Sequence, residues 1–195
     1  MDIMFDEVQH KYWLDGIEAV SVTQLLKITG IAPDLGNFYT VEAQKRGTAV
    51  HKATELIDKR VQDIEDYLDS PYLPYIQGWV QFVNDCNFEP LAVEKKVGNL
   101  AWLIAGTFDR VGKVKGVETM VDIKTGAKQR HHGVQLAAYN VLDGNCKARP
   151  RMTVQLFPKA RHGRNYEIVP YTDPEDYDAF TGAAALESWK RRNVK

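Results

Sequence analysis

The stretch GTFDRVGKVKGVETMVDIKTG, residues 106–126, decides the fold that we predict for this chain. Two segments rich in β-branched residues flank Lys115-Gly116, so the stretch predicts two antiparallel strands joined by a tight turn. With the turn at that dipeptide, Asp109 on the first strand faces Asp122 on the second, with Cβ atoms about 5 Å apart. Like charges in such a pair destabilise a sheet unless a cation lies between them. The hairpin therefore predicts a cation site.

Lys124 follows Asp122 by two residues, and strand alternation puts both side chains on one face of the sheet. Paired carboxylates favour hard cations such as Mg²⁺ or Mn²⁺, which keep some waters and accept phosphate oxygens as further ligands. A lysine beside such a cation can orient a bound water and stabilise negative charge on a phosphate. The alternative is a solvated hairpin face with an ordinary Asp–Lys pair. A register slip of one residue would separate Asp109 from Asp122 altogether.

The segments around the hairpin indicate a sheet between helices. From Pro90 onward, short segments rich in Val, Ile and aromatic residues alternate with Gly-containing turns, which indicates an antiparallel meander. Helical periodicity begins at about Thr40, and residues 3–20 predict a hairpin that turns at Asp15-Gly16. Further helices are predicted over residues 75–86, 133–142 and the C-terminal segment, further strands over 152–159 and 166–171, and a loop over 31–37.

These elements predict an α/β (α+β) fold in which a central mixed sheet with an antiparallel meander is flanked by helices. We expect one domain over residues 1–195. Its N-terminal part, residues 1–88, holds the first hairpin and the helix that carries His51. Its second part, residues 89–195, holds the sheet core, the Asp-bearing hairpin and the C-terminal helix.

Composition limits the classes of function. The net charge of −1 gives no global basic field, so a nucleic-acid site would have to be a local patch. Two cysteines, Cys86 and Cys146, are too few for a disulfide framework or a four-thiolate metal site, which indicates a reducing compartment. The first residues lack the pattern of a signal peptide, and no apolar stretch reaches membrane-spanning length. We therefore expect a cytoplasmic protein with no membrane partner.

Four motifs occur in a fixed order along the chain: RGTAVH with Gly47 and His51, GTFD with Gly106 and Asp109, DIKT with Asp122 and Lys124, and QLAAY with Gln135 and Tyr139. Together they resemble the RecB-type branch of the PD-(D/E)xK nuclease superfamily. The opening HKYWLDGIEAVSVTQLL also resembles the N-terminal region of phage-type and mitochondrial-type single-domain exonucleases of this superfamily. The resemblance implies a restriction-endonuclease-like core.

The resemblance also implies a ligand set. His51, Asp109 and Asp122 would ligate Mg²⁺ or Mn²⁺, and the backbone carbonyl of Ile123 would add a further oxygen. Glu94, on the strand before the hairpin, would reach the metal or its waters, or would be an edge-strand charge that discourages aggregation. Some members of the branch hold an iron–sulfur cluster with four cysteines, which two cysteines cannot build.

The remaining motif residues are expected to act on the reaction itself. Lys124 would assist the attacking water. Gln135 and Tyr139 are spaced to share one helix face, where the family uses them near the active site or the DNA backbone. Glu55, one turn after His51, would either orient that histidine or face water, and we favour water.

The function implied is a metal-dependent DNA nuclease that hydrolyses phosphodiester bonds. We expect an exonuclease that acts on DNA ends or single strands in replication, recombination or repair. A phage-encoded protein is compatible with this expectation, as is a recombination or replication protein as partner. A structure-specific or restriction-like endonuclease on the same core is the near alternative. A catalytically inactive nucleic-acid-binding module is disfavoured, because competent residues fill every presumed catalytic position. The sequence carries no interface signal from which an oligomeric state would follow.

Overall fold

The computed structural model describes residues 1–33, 40–145 and 149–194. Part of the loop predicted over 31–37, and Cys146, lie outside the described residues. The helices are α1 (Val22–Ile28), α2 (Val41–Asp58), α3 (Leu73–Asp85), α4 (His132–Leu142) and α5 (Glu175–Asn193), with a short 3-10 turn at Ile64–Tyr67. The strands are β1 (Ile3–Asp6), β2 (Lys11–Leu14), β3 (Ile17–Ser21), β4 (Glu89–Asn99), β5 (Ile104–Val114), β6 (Val117–Lys124), β7 (Arg151–Arg161) and β8 (Arg164–Pro170).

The strands of the described residues join in one mixed sheet. β4, β5 and β6 form the predicted antiparallel meander. β7 then pairs with β6 in parallel, and β8 returns antiparallel to β7. At the other end, β1, β2 and β3 are antiparallel, and β3 joins β5 in parallel.

The N-terminal region differs from its prediction in one respect. The turn at Asp15-Gly16 is present, with φ of 47° and 81°, the left-handed values that a tight hairpin turn of this type needs. The segment before it was expected to be a single strand, which is wrong: it folds back on itself between β1 and β2. The reason is local, because Oδ1 of Asp6 accepts hydrogen bonds from the backbone N–H groups of Val8 (2.8 Å) and Gln9 (2.9 Å) and so closes a side-chain-stabilised turn.

The first two helices begin where the sequence places caps. Ser21 and Gln24 have capping-box spacing and form that motif, each side chain accepting from the other residue's backbone N–H. Thr40 caps α2 by accepting from the N–H of Ala43.

Helices cover both faces of the sheet. α1, α4 and α5 pack on the face that Met120 of β6 enters. α2 and α3 pack on the opposite face, which the next residue, Val121, enters, as strand alternation requires. A central mixed sheet between helices is the predicted arrangement, and it confirms the α/β class with a restriction-endonuclease-like core.

One edge of β5 is shared by two strands. β4 pairs along β5 from Glu89↔Lys113 to Asn99↔Ile104 and so occupies one edge from end to end. β3 and β6 must therefore lie along the other edge. β3 pairs there with residues 104–105, and β6 pairs from Arg110 onward. Between them, residues 106–109 lie at an opening that we call the seam, and two of the predicted motif residues fall in it.

A matched pair of helical glycines tests the packing of the sheet against α3. An ideal Cβ at Gly78 in α3 would lie 2.5 Å from the backbone oxygen of Asn165 in β8, whereas one at Gly182 in α5 would meet nothing within 4 Å. Alanine favours a helix by about 1 kcal/mol over glycine, but overpacking costs about 1–3 kcal/mol. We expect Gly182→Ala to raise the free energy of unfolding in urea and Gly78→Ala to lower it. Equal effects of the two substitutions would contradict this packing.

Candidate active site

Side chains from three elements meet at the seam. His51 from α2, Glu94 from β4 and Asp109 from β5 each offer a ligand atom, and these atoms lie within 4.8 Å of one another. Nδ1 of His51 is 3.4 Å from Oδ2 of Asp109. The structure thus brings Glu94, whose role the sequence left open, next to two of the predicted ligands.

The hairpin has the predicted register. Its ladder runs from Val114↔Val117 to Arg110↔Val121, and the same register places Asp109 opposite Asp122 one step further. The backbone ladder ends before that step. Oδ2 of Asp109 instead accepts a 2.7 Å hydrogen bond from the backbone N–H of Ile123, so a carboxylate takes the place of a backbone acceptor at the seam.

Asp122 lies beside this cluster and pairs with Lys124. Its Oδ2 is 2.6 Å from Nζ of the lysine, so the two side chains share a face, as strand alternation predicts. Ile123 lies between them on the cleft. The service of its backbone carbonyl as a further ligand stays a prediction.

α4 reaches the same spot from the opposite face of the sheet. Nζ of Lys124 donates to Oε1 of Gln135 at 3.4 Å, and Nε2 of Gln135 donates to the hydroxyl of Tyr139 at 3.2 Å. Tyr139 is buried. An ideal Cβ at Gly106 would lie 2.8 Å from Cε1 of Tyr139, so this glycine admits the tyrosine ring beneath the site. The motif residues of β5, β6 and α4 therefore form one contiguous group.

Burial and neighbouring charges shift the pKa values of the three carboxyl groups in different directions. Burial alone would raise the pKa of Asp109, but His51, and then Lys124 and Arg110, hold it well below its usual range. Burial raises the pKa of Asp122 to about 6, with Lys124 opposing and Asp109 adding to the rise. Burial and the charge of Asp109 raise the pKa of Glu94 to about 7. Like charges in a poorly solvated site produce this divergence.

The pKa of His51 is shifted by the same burial and by the same neighbouring charges. Burial by itself would lower the pKa of its imidazole, but the carboxylate of Asp109 raises it. A divalent cation would favour the neutral imidazole and the ionised carboxylates together. One imidazole nitrogen among carboxylate oxygens is a donor set for a hard or borderline divalent ion. The residues present therefore fit a metal centre.

His51 of this cluster lines a cleft of about 740 Å³. A volume of this order is typical of small-molecule sites. The cleft is lined by His10, Ala43, Gln44, Gly47, Thr48, His51, Ile123, Lys124, Thr125, Gly126, Ala127 and His132.

Three residues at the site escaped the sequence-based prediction. Arg110 is fully buried beside Asp109, and a charged residue within an apolar strand was the available signal. His10 lines the cleft from the turn between β1 and β2, which no short-range pattern foretold. His132 lines it from the start of α4; its position shortly after the DIKT motif could have drawn attention. Glu55, by contrast, pairs with Lys52 and Lys59 along α2.

Comparisons with known proteins identify a family for this chain. A family model described as the PD-(D/E)XK nuclease superfamily matches residues 60–190, a region that includes Asp109, Asp122, Lys124 and Gln135. Among solved structures, one named "Crystal structure of SSO0001" is 17% identical with a TM-score of 0.40, over 90% of this chain and 77% of its own. No curated protein matches the chain. Within the described residues, no helix has the length and apolar character needed to cross a bilayer.

Metal binding should stabilise the protein through the carboxylates of the seam. A ligand present at about 100 times its Kd adds about 2.7 kcal/mol to the free energy of unfolding. We expect Mn²⁺ or Mg²⁺ to raise the melting temperature of the wild type but not that of the Asp109→Asn, Asp122→Asn double variant. Glu65→Gln, an exposed change in the 3-10 turn, is the control and should respond like the wild type. Equal shifts in the wild type and the double variant would refute the site.

His132 should make the protein sensitive to acid. Its side chain is buried, and burial, followed by the charge of Lys124, lowers its pKa to about 3, whereas an unfolded histidine titrates at about 6.5. Between these values the unfolded state binds more protons, so this group's contribution to stability falls as the pH falls. The unfolding free energy of His132→Gln relative to the wild type should therefore rise as the pH is lowered from about 7 to about 4.5. Parallel pH curves in urea titrations would rule this out.

Proposed function

The chain belongs to the PD-(D/E)XK nuclease superfamily, and from that premise we propose a Mg²⁺- or Mn²⁺-dependent deoxyribonuclease that acts as an exonuclease on DNA ends or single strands. The observation that carries the proposal is the meeting of His51, Glu94 and Asp109 within 4.8 Å, next to the ion pair of Asp122 and Lys124. His51 of this group lines the same cleft as Lys124.

The proposed ligands come from both sides of the seam. His51, Glu94 and Asp109 would hold the cation, with Asp122 and the carbonyl of Ile123 adjoining them. When bound, the cation supplies Lewis-acid polarisation of the scissile phosphate and a bound water of lowered pKa. Asp109 is already held in place by its bond to the Ile123 N–H, so this ligand requires little rearrangement.

Lys124 has two proposed roles, to orient the attacking water and to stabilise negative charge. Asp122 at 2.6 Å and Gln135 at 3.4 Å fix the position of its Nζ. In that position the lysine orients water for in-line attack on phosphorus, and its charge offsets the negative charge that builds on the phosphate oxygens. Attack forms the new P–O bond as the bond to the leaving sugar oxygen breaks. Tyr139 supports this arrangement through Gln135.

The assignment to the RecB-type branch rests on the four ordered motifs, and the exonuclease assignment rests on the N-terminal likeness to phage-type and mitochondrial-type exonucleases. His10 in the β1–β2 turn, which belongs to this N-terminal region, lines the cleft. We place the enzyme in DNA replication, recombination or repair, in the cytoplasm or, for a phage-encoded protein, in the cytoplasm of the host.

Loss of the catalytic pair should abolish cleavage without unfolding the chain. Lysine or carboxylate groups that manage protons in a reaction contribute about 10²–10⁴-fold in rate. We expect Lys124→Ala and Asp122→Ala each to lose at least about 10²-fold of the Mn²⁺-dependent digestion of single-stranded DNA. The melting temperature of Asp122→Ala should equal or exceed that of the wild type, because one of the crowded carboxylates is gone, whereas Lys124→Ala leaves Asp122 without its partner and should melt lower while still folded. Lys113→Ala, an exposed change on the same hairpin, is the matched control and should keep full activity. Activity that survives both site substitutions would show that the site is wrongly assigned.

The choice between exonuclease and endonuclease depends on the need for an end. We expect linear DNA labelled on one strand to be degraded progressively and covalently closed circular DNA to stay intact under the same conditions. Degradation of the closed circle would favour the structure-specific or restriction-like endonuclease. Binding of DNA without cleavage of either substrate would favour the inactive binding module.

A further inference from the structure

Arg110 is a buried cation immediately beside the proposed metal centre. Its side chain is 0% exposed, and a guanidinium stays charged in proteins. Burying an unpaired charge is strongly unfavourable, so such a group must be paired and hydrogen-bonded. The hydrogen-bond partners of Arg110 therefore indicate its role.

The guanidinium of Arg110 contacts three elements. Nη1 donates to Oε1 of Glu94 at 2.9 Å and to the backbone oxygen of Asp109 at 2.7 Å. Nε donates to Oδ2 of Asp58 at 2.5 Å, and Nη2 donates to Oγ1 of Thr54 at 3.2 Å. The planar fork of arginine can satisfy these directions at once, which a lysine ammonium cannot.

The two partners on α2 lie on the helix face that carries His51. Thr54 follows His51 by three residues and Asp58 by seven, a spacing that keeps all three side chains on one face. Asp58 is held from its other side by Nε1 of Trp79 at 3.0 Å. Arg110 therefore fixes the rotation and height of α2 against β5, and with them the position of the His51 imidazole.

Glu94 shows a second sign of constraint. Its φ is +50°, a left-handed value in the middle of β4, where its neighbours keep the ladder through Val93↔Arg110 and Lys95↔Phe108. A residue other than glycine in this region costs about 1–3 kcal/mol and persists only where the surroundings hold it. The bond from Arg110 is such a restraint. A carboxylate that accepts through Oε1 can still ligate a cation through its other oxygen.

We propose that Arg110 is the positioning residue of the metal centre. It positions Glu94 through the side chain of that residue, Asp109 through its backbone oxygen, and His51 through the shared face of α2. The proposal deepens the proposed function and rests on it. Arg110 is placed to orient the ligands and is not itself a ligand, because a charged guanidinium has no lone pair to offer a cation.

Metal affinity is the readout that separates positioning from plain stability. Groups that orient metal ligands typically change metal affinity or activity by about 10–100-fold when they are lost. We expect folded Arg110→Lys to bind Mn²⁺ at least about 10-fold more weakly by calorimetry without DNA, and to need correspondingly more Mn²⁺ for half-maximal cleavage. Saturating Mn²⁺ should restore most of its turnover. An unchanged Mn²⁺ affinity in the folded variant would overturn the proposal.

Arg151 provides the matched control. It is also buried and ion-paired, with Nη1 3.0 Å from Oδ2 of Asp176, and it packs near α4 and α5, where its Nη1 also bonds the backbone oxygen of Gly133. Arg151→Lys should lower the melting temperature while leaving the Mn²⁺ affinity at the wild-type value. A loss of Mn²⁺ affinity equal to that of Arg110→Lys would show that general destabilisation explains both, and the proposal would fall.

A second variant covers the case in which Arg110→Lys does not fold. Asp58→Asn keeps the shape of the side chain but removes the charge that anchors Arg110 on α2, and it should weaken Mn²⁺ binding although Asp58 is no ligand. Wild-type Mn²⁺ affinity in folded Asp58→Asn would count against positioning through α2. If the wild type itself neither binds Mn²⁺ nor cleaves DNA, the proposed function fails. If it does both and neither folded variant differs from it, the positioning role alone fails.

Discussion

The constraint behind the rest of the site is the repulsion between several carboxylates that lie close together where solvent is scarce. Glu94, Asp109 and Asp122 all approach one spot, and their pKa values diverge because they cannot all ionise freely there. A domain selected for stability alone would place apolar side chains at these positions of the sheet. The surrounding cations, His51, Lys124 and Arg110, offset part of this repulsion, and a divalent ion would offset the rest.

The sheet makes this crowding possible by opening at one place. β3 and β6 share an edge of β5 and leave residues 106–109 between them. Through that opening, His51 from α2 on one face and Gln135 from α4 on the other reach the same group of residues. A continuous sheet would have kept the two helix layers apart. The gap in the hydrogen-bond ladder of the sheet is therefore what allows the residues of the proposed site to meet.

Local patterns in the sequence predicted much of this arrangement, and long-range packing accounts for what they missed. The register of the hairpin follows from the turn at Lys115-Gly116, and the capping box at Ser21 follows from residue spacing alone. The turn between β1 and β2 was missed because it depends on the side chain of Asp6, which an alternating pattern does not reveal. Arg110 was missed because its role depends on contacts with Thr54 and Asp58, which lie far from it in the sequence. Glu94 stayed ambiguous since an edge-strand charge and a ligand look alike before the strands are assembled.

The shared edge of β5 also bears on how the molecule reaches its folded state. The pairing of β3 with β5 joins residues 20–21 to residues 104–105, and closing so long a loop carries an entropic cost that local hairpins avoid. Until that contact forms, residues 104–105 of β5 present unpaired backbone groups on this edge, of the kind that invite intermolecular pairing. The N-terminal strands therefore cover a part of the β5 edge that could otherwise pair with another molecule. The seam forms only after distant parts of the chain have come into contact.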